Sequence, residues 1–206
     1  MKTKLLGLAA MATILGATVP LAAHAEYVWL QRTGTELTAN AGELGKPDKT
    51  VALTDPRMVL PDGKSSPMDA KLGVVTQAPA SGDVRVTAVR AGGDGVLTYF
   101  QARLGRDSTT PVNDLELVPT EPGGSTFKLF FKGRPVVASQ VNVDTSAGWR
   151  RVLLPGKDGT VSFEPSFPGL YVMEVTAKVN NGSVVFEGKK YEDVRHTATL
   201  SFDVAR

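Results

Sequence analysis

The chain has 206 residues, with 23 Lys and Arg against 21 Asp and Glu, and no Cys. The missing cysteine excludes a disulfide scaffold and thiol catalysis, so stability has to come from burial; the length suits one large domain or two small ones. A formal charge of +2 is too weak a field to draw the chain to nucleic acid or to an anionic membrane.

Lys2 and Lys4 precede an apolar run from Leu5 to Leu21, and Ala23-His24-Ala25 follows with small residues at both specificity positions. That order predicts a secretory signal peptide over residues 1–25, cleaved after Ala25. The run is too short and wrongly flanked to be a spanning helix. The predicted mature chain starts at Glu26 in the periplasm, with no later segment apolar enough to span a membrane. Cleavage removes two Lys and no acid, which leaves 21 basic and 21 acidic residues; it also takes His24, so His196 remains as the only histidine.

Beyond the signal, Gly and Pro punctuate short apolar runs, and no stretch holds a helical period for three turns. This predicts an all-β chain. The expected strands begin with Tyr27 to Leu30, Glu36 to Ala41, Lys49 to Thr54 and Arg57 to Leu60. A Pro61-Asp62-Gly63-Lys64 turn and a Lys71 to Thr76 strand follow. Asp83 to Ala91 sets Val84, Val86 and Ala88 against Arg85, Thr87 and Arg90. Gly92-Gly93-Asp94-Gly95 turns the chain into Val96 to Leu104. Polar Arg106 to Pro111 is the expected linker between an N-terminal β-rich unit, 26–110, and a second unit, 111–206. The second unit is expected to form strands over Asp114 to Pro119, Thr126 to Lys132, Val136 to Val143, Trp149 to Leu154, Thr160 to Phe163, Leu170 to Val179, Val184 to Glu187 and Thr197 to Val204. Turns are expected at Gly133-Arg134-Pro135, Lys157-Asp158-Gly159, Pro168-Gly169 and, most strongly, Asn180-Asn181-Gly182.

The ordered series Phe131-Lys132-Gly133-Arg134-Pro135-Val136-Val137, Lys157-Asp158-Gly159-Thr160-Val161-Ser162-Phe163 and Pro168-Gly169-Leu170-Tyr171-Val172 resembles the transthyretin-like or carboxypeptidase-regulatory-like β-sandwich, an immunoglobulin-like module. With Glu26-Tyr27-Val28-Trp29-Leu30 after the cleavage site, Leu115-Glu116-Leu117-Val118-Pro119, and Tyr191 followed by Arg195-His196-Thr197-Ala198-Thr199-Leu200-Ser201-Phe202, the chain is similar to a periplasmic domain-of-unknown-function family once described as a nickel-uptake (NikM-like) component. The resemblance covers most of the mature chain and is strongest from about Leu115 onward. It implies export, an all-β fold and a link to uptake of a metal or another nutrient. Members of that group often carry histidine at the mature N-terminus, where this chain has Glu26.

Catalysis is not expected. A Ser-His-Asp triad would have to use His196, no Ser lies in a G-x-S-x-G elbow, and a zinc hydrolase wants more histidines. His196 is the candidate metal ligand, beside Glu192 or Asp193 and completed by Glu26 if the chain ends meet. The competing reading is a half-buried strand-edge imidazole hydrogen-bonded to backbone. Asp94, Asp107 and Asp158 lie in turns, and none sits in a calcium loop. Trp149, with Arg150 and Arg151, is read equally as a partner-binding surface or as a core anchor; Trp29 is read as core. The chain is therefore expected to be a non-enzymatic periplasmic accessory binding protein for a divalent transition metal of the nickel/cobalt type in an uptake system. The alternatives are a structural or interaction module that docks an envelope transporter or receptor by an edge strand or the Trp149 surface, and a carbohydrate-binding module.

Overall fold

The computed structural model describes residues 26–60, 63–69, 75–179 and 182–205. The signal peptide, the Pro61-Asp62 corner, most of the Lys71 to Thr76 run and Asn180-Asn181 of the expected hairpin lie outside the described residues. Every regular element among the described residues is a strand, so the fold is all-β. The strands are β1 (Tyr27–Thr33), β2 (Glu36–Glu43), β3 (Lys46–Pro47), β4 (Thr54–Val59), β5 (Ser65–Pro67), β6 (Val75–Gln77), β7 (Val84–Ala91), β8 (Val96–Leu104) and β9 (Leu115–Pro119). They continue with β10 (Thr126–Phe131), β11 (Arg134–Val136), β12 (Val141–Thr145), β13 (Arg150–Leu153), β14 (Thr160–Ser162), β15 (Gly169–Val179), β16 (Val184–Phe186), β17 (Lys189–Tyr191) and β18 (Asp193–Val204).

The backbone of the molecule is an eight-stranded sheet in the order β13-β12-β15-β18-β8-β7-β4-β5. Its centre is a parallel pair, β18 beside β8, flanked by antiparallel neighbours. The sheet therefore runs without a break from the first expected unit into the second. A smaller sheet, β1-β2-β3 with β6 on β2, packs on one face. There Val28, Leu30 and Leu37 meet Val84, Val86, Phe100 and Leu104, while Tyr27 and Trp29 meet Leu170 and Val172. The sheet of β9, β10, β11 and β14 packs on the opposite face, where Leu117, Phe127 and Leu129 meet Tyr171, Met173, Leu200 and Phe202. Alternation along each strand supplies both faces. Each fully buried large apolar side chain of this kind stabilises the fold by about 1.5–3 kcal/mol. Because β18 is covered on both sides, it is buried without interruption from His196 to Phe202.

Three local expectations changed on folding. Lys49 to Leu53 is not a strand: Asp48 Oδ1 accepts from Thr50 N (2.8 Å) and Thr50 Oγ1 (2.6 Å), an Asx turn that competes with ladder pairing. The hairpin corner after β10 is Lys132-Gly133, both at positive φ (+49° and +73°), so Arg134 and Pro135 fall inside β11 instead of the turn. The Val136 to Val143 run is split: Val136 ends β11, residues 137–140 leave the ladder, and strand resumes at Val141.

The 105–114 connection, which contains the Arg106 to Pro111 stretch read from sequence as a polar linker, is fixed by a charged cluster in the interior. Arg85, Arg103, Asp83 and Glu116 are each at most 2 % exposed. Glu116 Oε1 accepts from Arg85 Nε (2.8 Å) and Arg103 Nη1 (2.9 Å), and Arg103 Nη2 reaches Asp83 Oδ2 at 2.5 Å. The remaining capacity goes to main chain. Asp83 accepts from Asp107 N (3.0 Å) and Ser108 N (2.8 Å), and Glu116 Oε2 accepts from Val112 N (2.7 Å) and Asn113 N (2.8 Å). Arg85 Nη2 donates to Thr110 O (3.2 Å). Four desolvated charges persist because nearly every donor and acceptor finds a partner. Gly105, at φ +103°, has to be glycine, since a Cβ there would collide with Asp83 Oδ1.

Candidate functional site

The three expected metal ligands keep separate company. Glu26 forms an ion pair with Arg90 beside Thr197, on the face of the large sheet that carries β1. His196 precedes Thr197 in the strand and so points to the opposite face. Glu192 is exposed (80 %) and pairs with Lys190 at 3.1 Å. Among the described residues no three His, Cys, Asp or Glu side chains are grouped to hold a metal ion.

His196 is 6 % exposed. Its ring stacks on Tyr99 at 5.0 Å and meets the Phe131 ring edge-on at 5.2 Å. Gln101 Oε1 accepts from Leu115 N (3.1 Å), which fixes the amide and makes Gln101 Nε2 a donor toward His196 Nδ1 at 3.3 Å. The imidazole therefore carries its proton on Nε2. Burial holds its pKa below the ordinary value, outweighing the upward pull of the Asp114 carboxylate.

Trp149 is 36 % exposed and packs edge-on against Phe167 at 6.0 Å. Arg150, on the outermost strand β13, reaches Glu43 of β2 (3.0 Å) and Asp144 (2.9 Å), so it ties the two sheets together; Arg151 is exposed. This edge carries two guanidinium groups, and the opposite edge strand, β5, is three residues long and ends on Pro67. Charge, brevity and proline are the usual guards of a sheet edge.

The unguarded edge belongs to β15. Its pairing with β12 stops at Asn142 opposite Glu174, while its pairing with β18 continues to Val179. Leu170 O accepts from Ser146 N on the β12 side (2.9 Å). By alternation the main-chain groups of Thr176 and Lys178 point the same way, and among the described residues no backbone group meets them. Beside them runs a groove of about 610 Å³ walled by Leu129, Phe131, Val136, Val137 and Val175. Val137 is 71 % exposed at its rim. Lys132 holds its ammonium 5.5 Å from the Phe131 ring centroid and has no ion pair among the described residues.

Sequence reasoning singled out neither this edge nor the groove. The one available signal was the apolar Val136-Val137-Ala138 following a Pro, which reads as strand throughout but leaves the ladder after Val136 and folds as groove wall. No family model matches the chain, and no curated protein matches it.

Proposed function

We propose that the protein is a non-enzymatic accessory binding protein of the periplasm that docks an extended segment of an envelope transporter or receptor. The observation that carries this reading is the free β15 edge lying against an apolar groove. Strand addition uses such an edge for main-chain hydrogen bonds and the neighbouring pockets for alternate side chains. The fitting segment has apolar residues at every second position, to fill the groove beside Phe131 and Val175, and a carboxylate to meet Lys132. The immunoglobulin-like or transthyretin-like resemblance supports the same use, and the uptake link implied by the resemblance to the NikM-like family makes a transporter the natural partner. In that arrangement transported nickel or cobalt need not touch Glu26, Glu192 or His196.

A photocrosslinker at position 178 of the full chain, activated in intact cells, is expected to capture one envelope protein. Val137→Asp is expected to abolish capture, because it places a carboxylate on the exposed groove rim without touching the core. The absence of any adduct, or an adduct unchanged by Val137→Asp, would overturn the docking reading.

A further inference from the structure

A second site lies on the same side of the large sheet as His196, under different walls. Thr87 of β7 and Tyr99 and Gln101 of β8 line an open cavity of about 430 Å³, bordered by the exposed Asp55 and by Asn113 and Asp114 of the 105–114 connection. That volume is in the range of about 300–1,000 Å³ usual for small-molecule sites. Asp55 sits at φ +45° in a bulge of β4, between Thr54 and Arg57, which turns it toward this cavity instead of continuing the ladder. Its carboxylate also pairs with Arg57 at 3.5 Å.

Asn113 is the telling residue. It is 6 % exposed, and its Nδ2 finds no hydrogen-bond partner among the described residues. Its backbone N–H is spent on Glu116 Oε2 (2.8 Å), so the residue cannot drift away from the cavity wall to seek one. A buried amide donor left unmatched is costly, and such groups call for an explanation. Gln101 is spent at both ends on Leu115 N and His196. Tyr99 is raised above its ordinary pKa, by burial first and by Asp114 second, so its phenol keeps its proton and both donates and accepts.

The complement to these groups has to accept from Asn113 and donate to Asp114. An anion meets two carboxylates, and an ammonium offers Asn113 no acceptor. Adjacent hydroxyls do both jobs at once. We infer that this cavity binds a small uncharged polyhydroxylated ligand, a neutral sugar in chemical class, with Asn113 and Asp114 bridging neighbouring hydroxyls and Tyr99 and Thr87 completing the ring of contacts. Asn113 Nδ2 is sealed from solvent in the structure, so a ligand hydroxyl reaches it only when the amide turns about its Cβ–Cγ bond to face the cavity.

The test is ligand-observed saturation-transfer NMR on the full chain with neutral hexoses, an amino sugar, a sugar acid and a free amino acid. Saturation of at least one neutral hexose is expected. Asn113→Ala and Tyr99→Phe are each expected to weaken it about tenfold, the loss of one well-placed hydrogen bond. Val137→Asp, in the separate groove, is expected to leave it intact, and amide spectra of each variant report that the fold is kept. Saturation of none of the neutral sugars, preference for the charged probes, or equal binding by both cavity variants overturns the inference.

Discussion

His196 is packed between Tyr99 and Phe131, and burial keeps its imidazole neutral below its ordinary pKa of 6.5. Lys132 pushes in the same direction as burial, and Asp114 opposes both. The folded chain therefore binds this proton less readily than the unfolded chain does. The stability tied to the neutral ring is present above pH 6.5 and is lost as pH falls from there through the lower folded value. Urea midpoints are expected to drop between about pH 7.5 and 5.5, and His196→Gln, which still accepts from Gln101, is expected to flatten that drop. An unchanged slope in the variant would assign the acid sensitivity elsewhere. From sequence, His196 stood between ligand and strand-edge imidazole bonded to backbone. Its observed partner is instead a side chain, Gln101, ninety-five residues earlier in the chain.

Among the elements, β1 and β18 show how a free strand edge is satisfied without a strand. Val28 O accepts from Thr199 Oγ1 at 2.6 Å, and Leu30 N donates to Ser201 Oγ at 3.3 Å. The hydroxyls of the underlying sheet thus stand in for a ladder partner, which explains Thr and Ser at fully buried positions of β18. Ser201→Ala leaves the buried Leu30 N–H unmatched at a cost of about 1–3 kcal/mol. Hydrogen exchange at Leu30 is expected to accelerate with it, while Val86 and Met173 in the large sheet stay protected; unchanged exchange at Leu30 would show that the contact carries no weight. Elements such as β7 and β8 were legible because everything they need is local: alternation, and Gly95 at φ +83° closing the turn. Elements β3, β5 and β17 are two or three residues long and exist only through their partners. Their own residues carry no signal that alternation can read.

At the scale of the molecule, the decisive contacts join residues far apart in sequence. Alternation correctly separated Arg85 from Val84 and Val86, yet it could not say that both faces of β7 are covered. The second face is roofed by the 105–114 connection, whose Thr110 carbonyl Arg85 holds at 3.2 Å. The parallel pairing of β18 with β8 was equally hidden, because no local feature names a partner across the chain. These two links, the parallel pair and the Arg85-Arg103-Asp83-Glu116 cluster, tie residues 26–110 to 111–206. Each half holds one tryptophan, Trp29 under the β1 sheet and Trp149 near the β13 edge. Trp149→Phe leaves Trp29, which packs on Leu170 and Val172 across the junction, and Trp29→Phe leaves Trp149, which packs on Phe167 within the second half. If the halves unfold as one unit, both reporters give the same urea midpoint. Glu116→Gln removes one charge from the buried cluster and is expected to lower both readings together, by about 3–5 kcal/mol. Two separated midpoints, or a loss confined to one reporter, would mean that the halves fold independently and that the shared sheet forms by docking of finished domains.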